Sequence, residues 1–107
     1  MADLQALAVR LDDAARNATA IQQLSQTEGE PISMPDAYEI QKRAIALRVA
    51  RGEPRVGMKM GFTSRAKMVQ MGLFDMICGR LTRDMMLEDG GPMPFARFVH
   101  PRVEPEV

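Results

Sequence analysis

One cysteine, one histidine and no long apolar run are the scarcities that bound this 107-residue chain. The lone thiol, Cys78, excludes an intrachain disulfide framework and fits a reducing compartment. Within the apolar stretch Met76-Ile77-Cys78-Gly79 it reads as a packing residue rather than a reactive one. No window approaches the ~20 apolar residues of a membrane span. The N-terminus lacks a basic start followed by an apolar run, so the expected location is the cytoplasm. Formal net charge is zero, which removes any general electrostatic argument for nucleic acid or a membrane surface as partner. Repeats and low-complexity tracts are absent. So are the phosphate-binding signatures. Lys59 lies between Gly57 and Gly61, but a Walker A loop needs its Lys directly after the second Gly and before Ser/Thr, and no dinucleotide fingerprint is present.

What is there suits one small domain with a modest core, since 46% of the residues are hydrophobic. Charge is unevenly spread: segment 37–67 holds eight bases against two acids, and the segments on either side are acidic. Asp3 is placed to cap a helix over 4–17, where Leu4, Leu7, Ala8, Leu11, Ala15 and Ala18 recur at helical spacing. Ala20, Ile21 and Leu24 suggest a short helical turn, with a loop through Gly29 and Pro31. Ser33 and Asp36 have capping-box spacing and Pro35 sits in the first turn, predicting a helix to about Arg51 that Gly52 stops. A strand is predicted over 55–60, then a short helix over 65–71 capped by Thr63 or Ser64 and closed by Gly72. A second strand is expected over 76–81 with Gly79 as a bulge or close-approach point. Met85-Met86-Leu87 suggests a third strand, 88–91 a turn, and 95–107 the start of extended structure. The methionines are read as adaptable core filling.

Three groups have chemical potential. Lys59, on a strand and flanked by small residues, either binds an anion or stabilises a developing enolate, or points to solvent. His100 is either a general acid/base or a strand-edge residue. Glu104 and Glu106, at i and i+2 of an extended segment, would share a face. Their repulsion would be offset by a hard divalent cation such as Mg²⁺ or Mn²⁺, with further ligands beyond residue 107; alternatively they are an acidic tail.

Three stretches taken together, Val56-Gly57-Met58-Lys59-Met60-Gly61-Phe62-Thr63-Ser64-Arg65-Ala66-Lys67-Met68, Gly79-Arg80-Leu81-Thr82-Arg83-Asp84-Met85 and His100-Pro101-Arg102-Val103-Glu104-Pro105-Glu106, resemble the 2-oxopent-4-enoate hydratase and 4-oxalocrotonate decarboxylase family of aromatic meta-cleavage catabolism, which is related to fumarylacetoacetate hydrolase. The helix carrying Ala37-Tyr38-Glu39-Ile40-Gln41 fits as well. The resemblance implies an α+β chain: an N-terminal helical region over 1–54, then the first strands of a β-rich, fumarylacetoacetate hydrolase-like catalytic domain over 55–107, truncated. It implies Glu104 and Glu106 as ligands to Mg²⁺ or Mn²⁺, Lys59 as the catalytic lysine, and Thr63 and Ser64 near the substrate.

Family hydratases carry an aspartate two positions ahead of the Gly-x-Leu glycine. Here Ile77 stands there, which inclines the resemblance toward the decarboxylase. The implied reaction is metal-dependent loss of CO₂ from 4-oxalocrotonate (2-oxohex-3-enedioate) to give 2-oxopent-4-enoate, without an organic cofactor. The alternative is hydration of 2-oxopent-4-enoate. The implied partners are a small 2-oxo acid, the pathway hydratase in a complex, and further subunits of an oligomer. The chain is expected to be the N-terminal fragment of a larger lyase and inactive alone. A reading of another class is a non-catalytic interaction module whose unpaired sheet edges and methionine-rich surface dock a partner.

Overall fold

The computed structural model describes residues 3–61, 64–70 and 76–106. Helix α1 (Leu4–Arg16) begins where the Asp3 carboxylate accepts from the Ala6 N–H at 3.0 Å. Helix α2 (Leu24–Glu28) ends at Gly29, whose φ of 73° is a left-handed cap that glycine adopts without a Cβ clash. Ala20 and Ile21 lie outside it. Helix α3 (Met34–Ala50) starts with the Ser33 hydroxyl accepting from the Asp36 N–H, and the chain turns away through Gly52 at φ 94°. Strand β1 (Arg55–Gly61), helix α4 (Arg65–Gln70) and strand β2 (Ile77–Thr82) follow. β1 and β2 form a two-stranded antiparallel sheet in which Lys59 faces Gly79 and Met60 faces Cys78. No helix among the described residues is long and apolar enough to cross a membrane.

Leu7 and Ala8 of α1 meet Ile40 of α3, with Leu4, Leu24, Ile32 and Ala44 packed around them. The face of α1 differs from expectation in one respect. Leu11 is 36% exposed, whereas Asp12, one position on, is 5% exposed. A buried carboxylate needs a partner, and Asp12 has one: Arg51 donates to it bidentately, at 2.6 and 2.8 Å. Arg51 also reaches Glu53 at 3.8 Å. Glu53 accepts from the hydroxyl of the fully buried Thr82 at 3.0 Å and from Arg48 at 3.3 Å. One polar network thus ties α1, the end of α3 and the end of β2 together.

Helix α3 also fastens the outer edge of β2. The Cys78 N–H donates to the Tyr38 hydroxyl at 3.0 Å, and Gln41 Nε2 donates to the Cys78 carbonyl at 3.0 Å. Gln41 Oε1 accepts from the Arg80 N–H at 3.2 Å and from the Arg80 guanidinium at 2.9 Å. The Gln41 carboxamide, donor and acceptor in one plane, does for this edge what a neighbouring peptide unit would do.

Four expectations are corrected. Met85-Met86-Leu87 is not a strand: a 3-10 turn occupies Arg83–Met85, and the extended Met86 donates its N–H back to the Arg83 carbonyl at 3.0 Å rather than to a neighbouring strand. Residues 95–106 carry no strand either; Phe95–Arg97 is a 3-10 turn, and 101–106 has no regular element. Pro94, Pro101 and Pro105 lack the N–H that a ladder requires. The bulge lies between Arg55 and Gly57 rather than at Gly79, where an added Cβ would meet nothing within 4 Å. The close approach is at Gly61, where a Cβ would sit 2.9 Å from Ile77 Cγ1. Finally, the methionines in and beside the sheet do not fill the core: Met58 and Met60 of β1 and Met76, just before β2, are 50%, 43% and 46% exposed.

The Asp12–Arg51 pair makes stability depend on pH. The hydrogen bonds from Arg51 hold the Asp12 carboxyl below its ordinary value of 3.8, and the nearby Arg48 and Arg16 charges add to this against the opposing effect of burial. A carboxyl depressed in the folded state contributes stability that is complete above about pH 5 and drains away as pH falls through its folded value. Urea unfolding of Arg51→Leu is expected to show a loss of about 3 kcal/mol at pH 7, because Asp12 is left buried and unpaired. The deficit relative to the parent should shrink toward pH 3. A variant with an unchanged midpoint at pH 7 would show that the pair contributes nothing.

Candidate functional site

Lys59 stands at the middle of β1, on the opposite side of the strand from Met58 and Met60. Gly57 precedes it on the same face, and no atom lies within 4 Å of where a Gly57 Cβ would be, so the lysine stem is uncrowded. The ammonium is held in two directions. Lys59 Nζ donates to the Met60 carbonyl at 2.6 Å and forms an ion pair with Glu106 Oε2 at 2.9 Å. A strand residue and a tail residue 47 positions apart, both singled out in the sequence, therefore meet.

The Lys59 ammonium, by hydrogen bond and by charge, holds the Glu106 carboxyl below the usual carboxylate range, and a contact from the Glu104 carboxyl adds to this. Glu104 thus bears on Glu106 although no strand imposes their alternation. Lys59 and Glu106 are each about half exposed, at 53% and 52%.

Ser64 is exposed, just ahead of α4, and Thr63 lies outside the described residues. His100 has a φ of 48° and precedes Pro101. The left-handed region is uncommon for a residue with a Cβ, though histidine is among those enriched there. The backbone bends at this point, and beyond it Glu106 reaches Lys59 of β1.

The sequence reading passed over Tyr38 and Gln41 as positioning residues. Their signal was present: both are hydrogen-bonding side chains among Ala37, Ile40, Ala44 and Ile45 of an otherwise apolar helix face. By holding β2 at Cys78 and Arg80 they fix β1, and with it Lys59, which faces the intervening Gly79.

Two adjacent carboxylates form an all-oxygen donor set of the kind hard divalent cations prefer, and Glu106 already carries a cation in the form of the lysine ammonium. Among the described residues no group of three His, Cys, Asp or Glu side chains converges. An ion such as Mg²⁺ keeps several waters and takes one or two carboxylates among its ligands, which this pair could supply.

No family model matches the chain. Individual relatives do. A 4-oxalocrotonate decarboxylase from a Pseudomonas species is 54% identical over 101 residues, covering 94% of this chain and 39% of the relative. Over the matched stretch the chain is similar to both 4-oxalocrotonate decarboxylases and hydratases. A 2-oxo-hept-4-ene-1,7-dioate hydratase from Escherichia coli is 35% identical over 94% of this chain and 38% of its own length. Among solved structures, a 4-oxalocrotonate decarboxylase from Pseudomonas putida G7, complexed with magnesium and adipate, superimposes with a TM-score of 0.69 at 38% identity. That superposition covers 74% of this chain and 30% of the neighbour. The chain thus spans about two fifths of the length of the curated relatives it matches. Its helices and two-stranded sheet correspond to part of an α+β decarboxylase structure.

The geometry makes a direct claim about Glu106. In Lys59→Met, carbon-detected NMR titration of the Glu106 carboxyl should show its midpoint moving upward toward the ordinary glutamate value. An unmoved midpoint would mean that the ion pair does not form in solution.

Proposed function

We propose that this chain carries part of a metal-dependent decarboxylase acting on 4-oxalocrotonate, and that Lys59, Glu104 and Glu106 are its contribution to the active site. The observation that carries the reading is the 54% identity to a protein of that name. The magnesium-and-adipate complex of the solved neighbour supports a divalent ion and a dicarboxylate ligand. Adipate carries a carboxylate at each end of a six-carbon chain, as 4-oxalocrotonate does.

Glu104 and Glu106 would hold the ion, Mg²⁺ in the first instance and Mn²⁺ as the alternative. When bound, it would supply Lewis-acid polarisation of the substrate 2-oxo group. The lysine does the rest of what this chain can do. Its ammonium has three N–H donors, and Met60 and Glu106 occupy two. Among the described residues no partner is recorded for the third, which would be offered to an anionic oxygen of the substrate. Breaking the bond to the distal carboxylate releases CO₂ and leaves its electron pair in a dienolate. A cation fixed on a strand stabilises that charge as it develops, with little reorganisation. Protonation of the dienolate then gives 2-oxopent-4-enoate.

Ile77 bears on which reaction is run. It opens β2 opposite Gly61, at the same end of the ladder as Lys59's neighbour Met60. A carboxylate there would offer a proton-handling group for hydration; an isoleucine does not. This favours decarboxylation over the hydratase activities named among the relatives.

The division at residues 54 and 55, a fumarylacetoacetate hydrolase-like completion of the sheet, a third metal ligand supplied from elsewhere, Thr63 and Ser64 at the substrate, oligomerisation, and a complex with the pathway hydratase in the cytoplasm belong to the same proposal. So does inactivity of the 107 residues alone.

A chimera tests it. This chain should replace the matched segment of the 54%-identical relative, and 4-oxalocrotonate consumption should be followed with Mg²⁺ present. The chimera is expected to be active. Glu106→Gln and Lys59→Met within it should each lose about 100-fold or more in kcat/KM. An active chimera indifferent to both substitutions would remove these residues from the mechanism.

A further inference from the structure

The two partners of the Lys59 ammonium differ in kind. One is the Met60 carbonyl at 2.6 Å, a backbone group of the same strand. The other is Glu106 Oε2 at 2.9 Å, a side-chain oxygen on a segment without regular structure. The first is a tether that moves only with β1. The second is exchangeable. Lys59 and Glu106 are each about half exposed, so water can solvate both groups when they part, and exposed ion pairs of this kind hold weakly.

Charge at the cluster imposes an order of events. Glu104, Glu106 and the Lys59 ammonium together carry a net single negative charge near neutral pH. That sign repels a dicarboxylate. A divalent ion on the two carboxylates would reverse it to a net single positive charge, which attracts one. The same ion would repel the ammonium twice as strongly as a second ammonium would at equal separation. Lysine carries its charge on a flexible four-carbon stem, so Lys59 is the group that can give way. The Met60 carbonyl keeps it at the site when it does.

We propose that Lys59 is a displaceable place-holder on Glu106. It occupies the carboxylate until a divalent ion takes it, then turns two donors rather than one toward an anionic substrate while still tethered to the Met60 carbonyl. The ion therefore adds before the substrate. This inference rests on the decarboxylase reading, in which Glu104 and Glu106 hold the ion. It goes beyond that reading by assigning the ammonium and the ion to Glu106 in turn. A fixed arrangement with both cations on Glu106 together has the opposite consequence: the lysine would orient the ligand, and its loss would weaken metal binding.

Mn²⁺ binding to the 107-residue chain, followed through the paramagnetic resonance signal of the unbound ion, tests it without catalysis. Lys59→Met is expected to bind Mn²⁺ about tenfold more tightly than the parent, and Glu106→Gln at least tenfold more weakly. Lys59→Gln, which keeps length and polarity, should repeat the gain and stands in if the methionine variant misfolds. Most of the gain should survive in about 0.5 M KCl, because a contact pair is screened less than a distant charge. In the chimera, calorimetry should show adipate binding at least tenfold more tightly with Mg²⁺ than without it. Equal or weaker Mn²⁺ binding in both Lys59 variants overturns the proposal. So does a gain that salt abolishes, which marks a diffuse field rather than an exchange of partners, or adipate binding that ignores the ion. The two readings fail differently. Mn²⁺ binding indifferent to Glu106→Gln removes the metal site and the place-holder with it, whereas binding that needs Glu106 and ignores Lys59 removes the place-holder alone.

Discussion

A carboxylate buried between two helices is the constraint on which the rest of this small structure depends. Asp12 cannot be solvated, so Arg51 must reach it from the end of α3, and that fixes where α3 ends relative to α1. Arg51 and Arg48 then hold Glu53, and Glu53 holds the buried hydroxyl of Thr82. The short chain between Gly52 and β1 is thereby pinned at Glu53. Arg83 completes the junction by donating its N–H to the Pro54 carbonyl at 2.9 Å. A network of charges thus orients the sheet where four buried hydrophobic side chains would do so poorly.

From that junction the sheet is aimed by hydrogen bonds rather than by packing. Tyr38 and Gln41 grip alternate residues of β2, the ladder carries their constraint to β1, and Lys59 is presented on the strand face away from Met58 and Met60. The tail returns past His100 and sets Glu106 against the lysine. Positive and negative groups are thereby assembled from opposite ends of the sheet region, one on a regular strand and one on a segment without regular structure. A cation is already present at the carboxylate, which is the electrostatic condition that a metal ion would also satisfy.

Much of this was legible in the residues. Asp3, Ser33, Gly29 and Gly52 mark helix ends through caps and left-handed turns that other residue types do not supply. The alternation around Lys59 and the apolar run before Arg80 mark the two strands. The resemblance to decarboxylases and hydratases singled out Lys59 and Glu106, which the structure brings into contact. Other features were hidden for definite reasons. A buried ion pair between residues 39 positions apart leaves no local pattern, so Asp12 looked like part of a polar face and Leu11 like part of the apolar one. Gln41 acts as a surrogate strand, a role visible only once β2 lies beside it. Residues 95–106 looked extended because of their prolines and the i, i+2 spacing of Glu104 and Glu106, but those same prolines lack ladder donors, and among the described residues no strand faces them.

The claim that Glu104, Glu106 and Lys59 mark a divalent-ion site is open to one direct measurement. Titrating the isotope-labelled chain with Mn²⁺ and recording paramagnetic broadening of its amide signals locates any bound ion without reference to catalysis. The account predicts broadening centred on residues 104–106 and on the facing part of β1 around Lys59. Broadening centred instead on the acidic turn at Asp84, Glu88 and Asp89, or an even loss of signal along the chain, would contradict it.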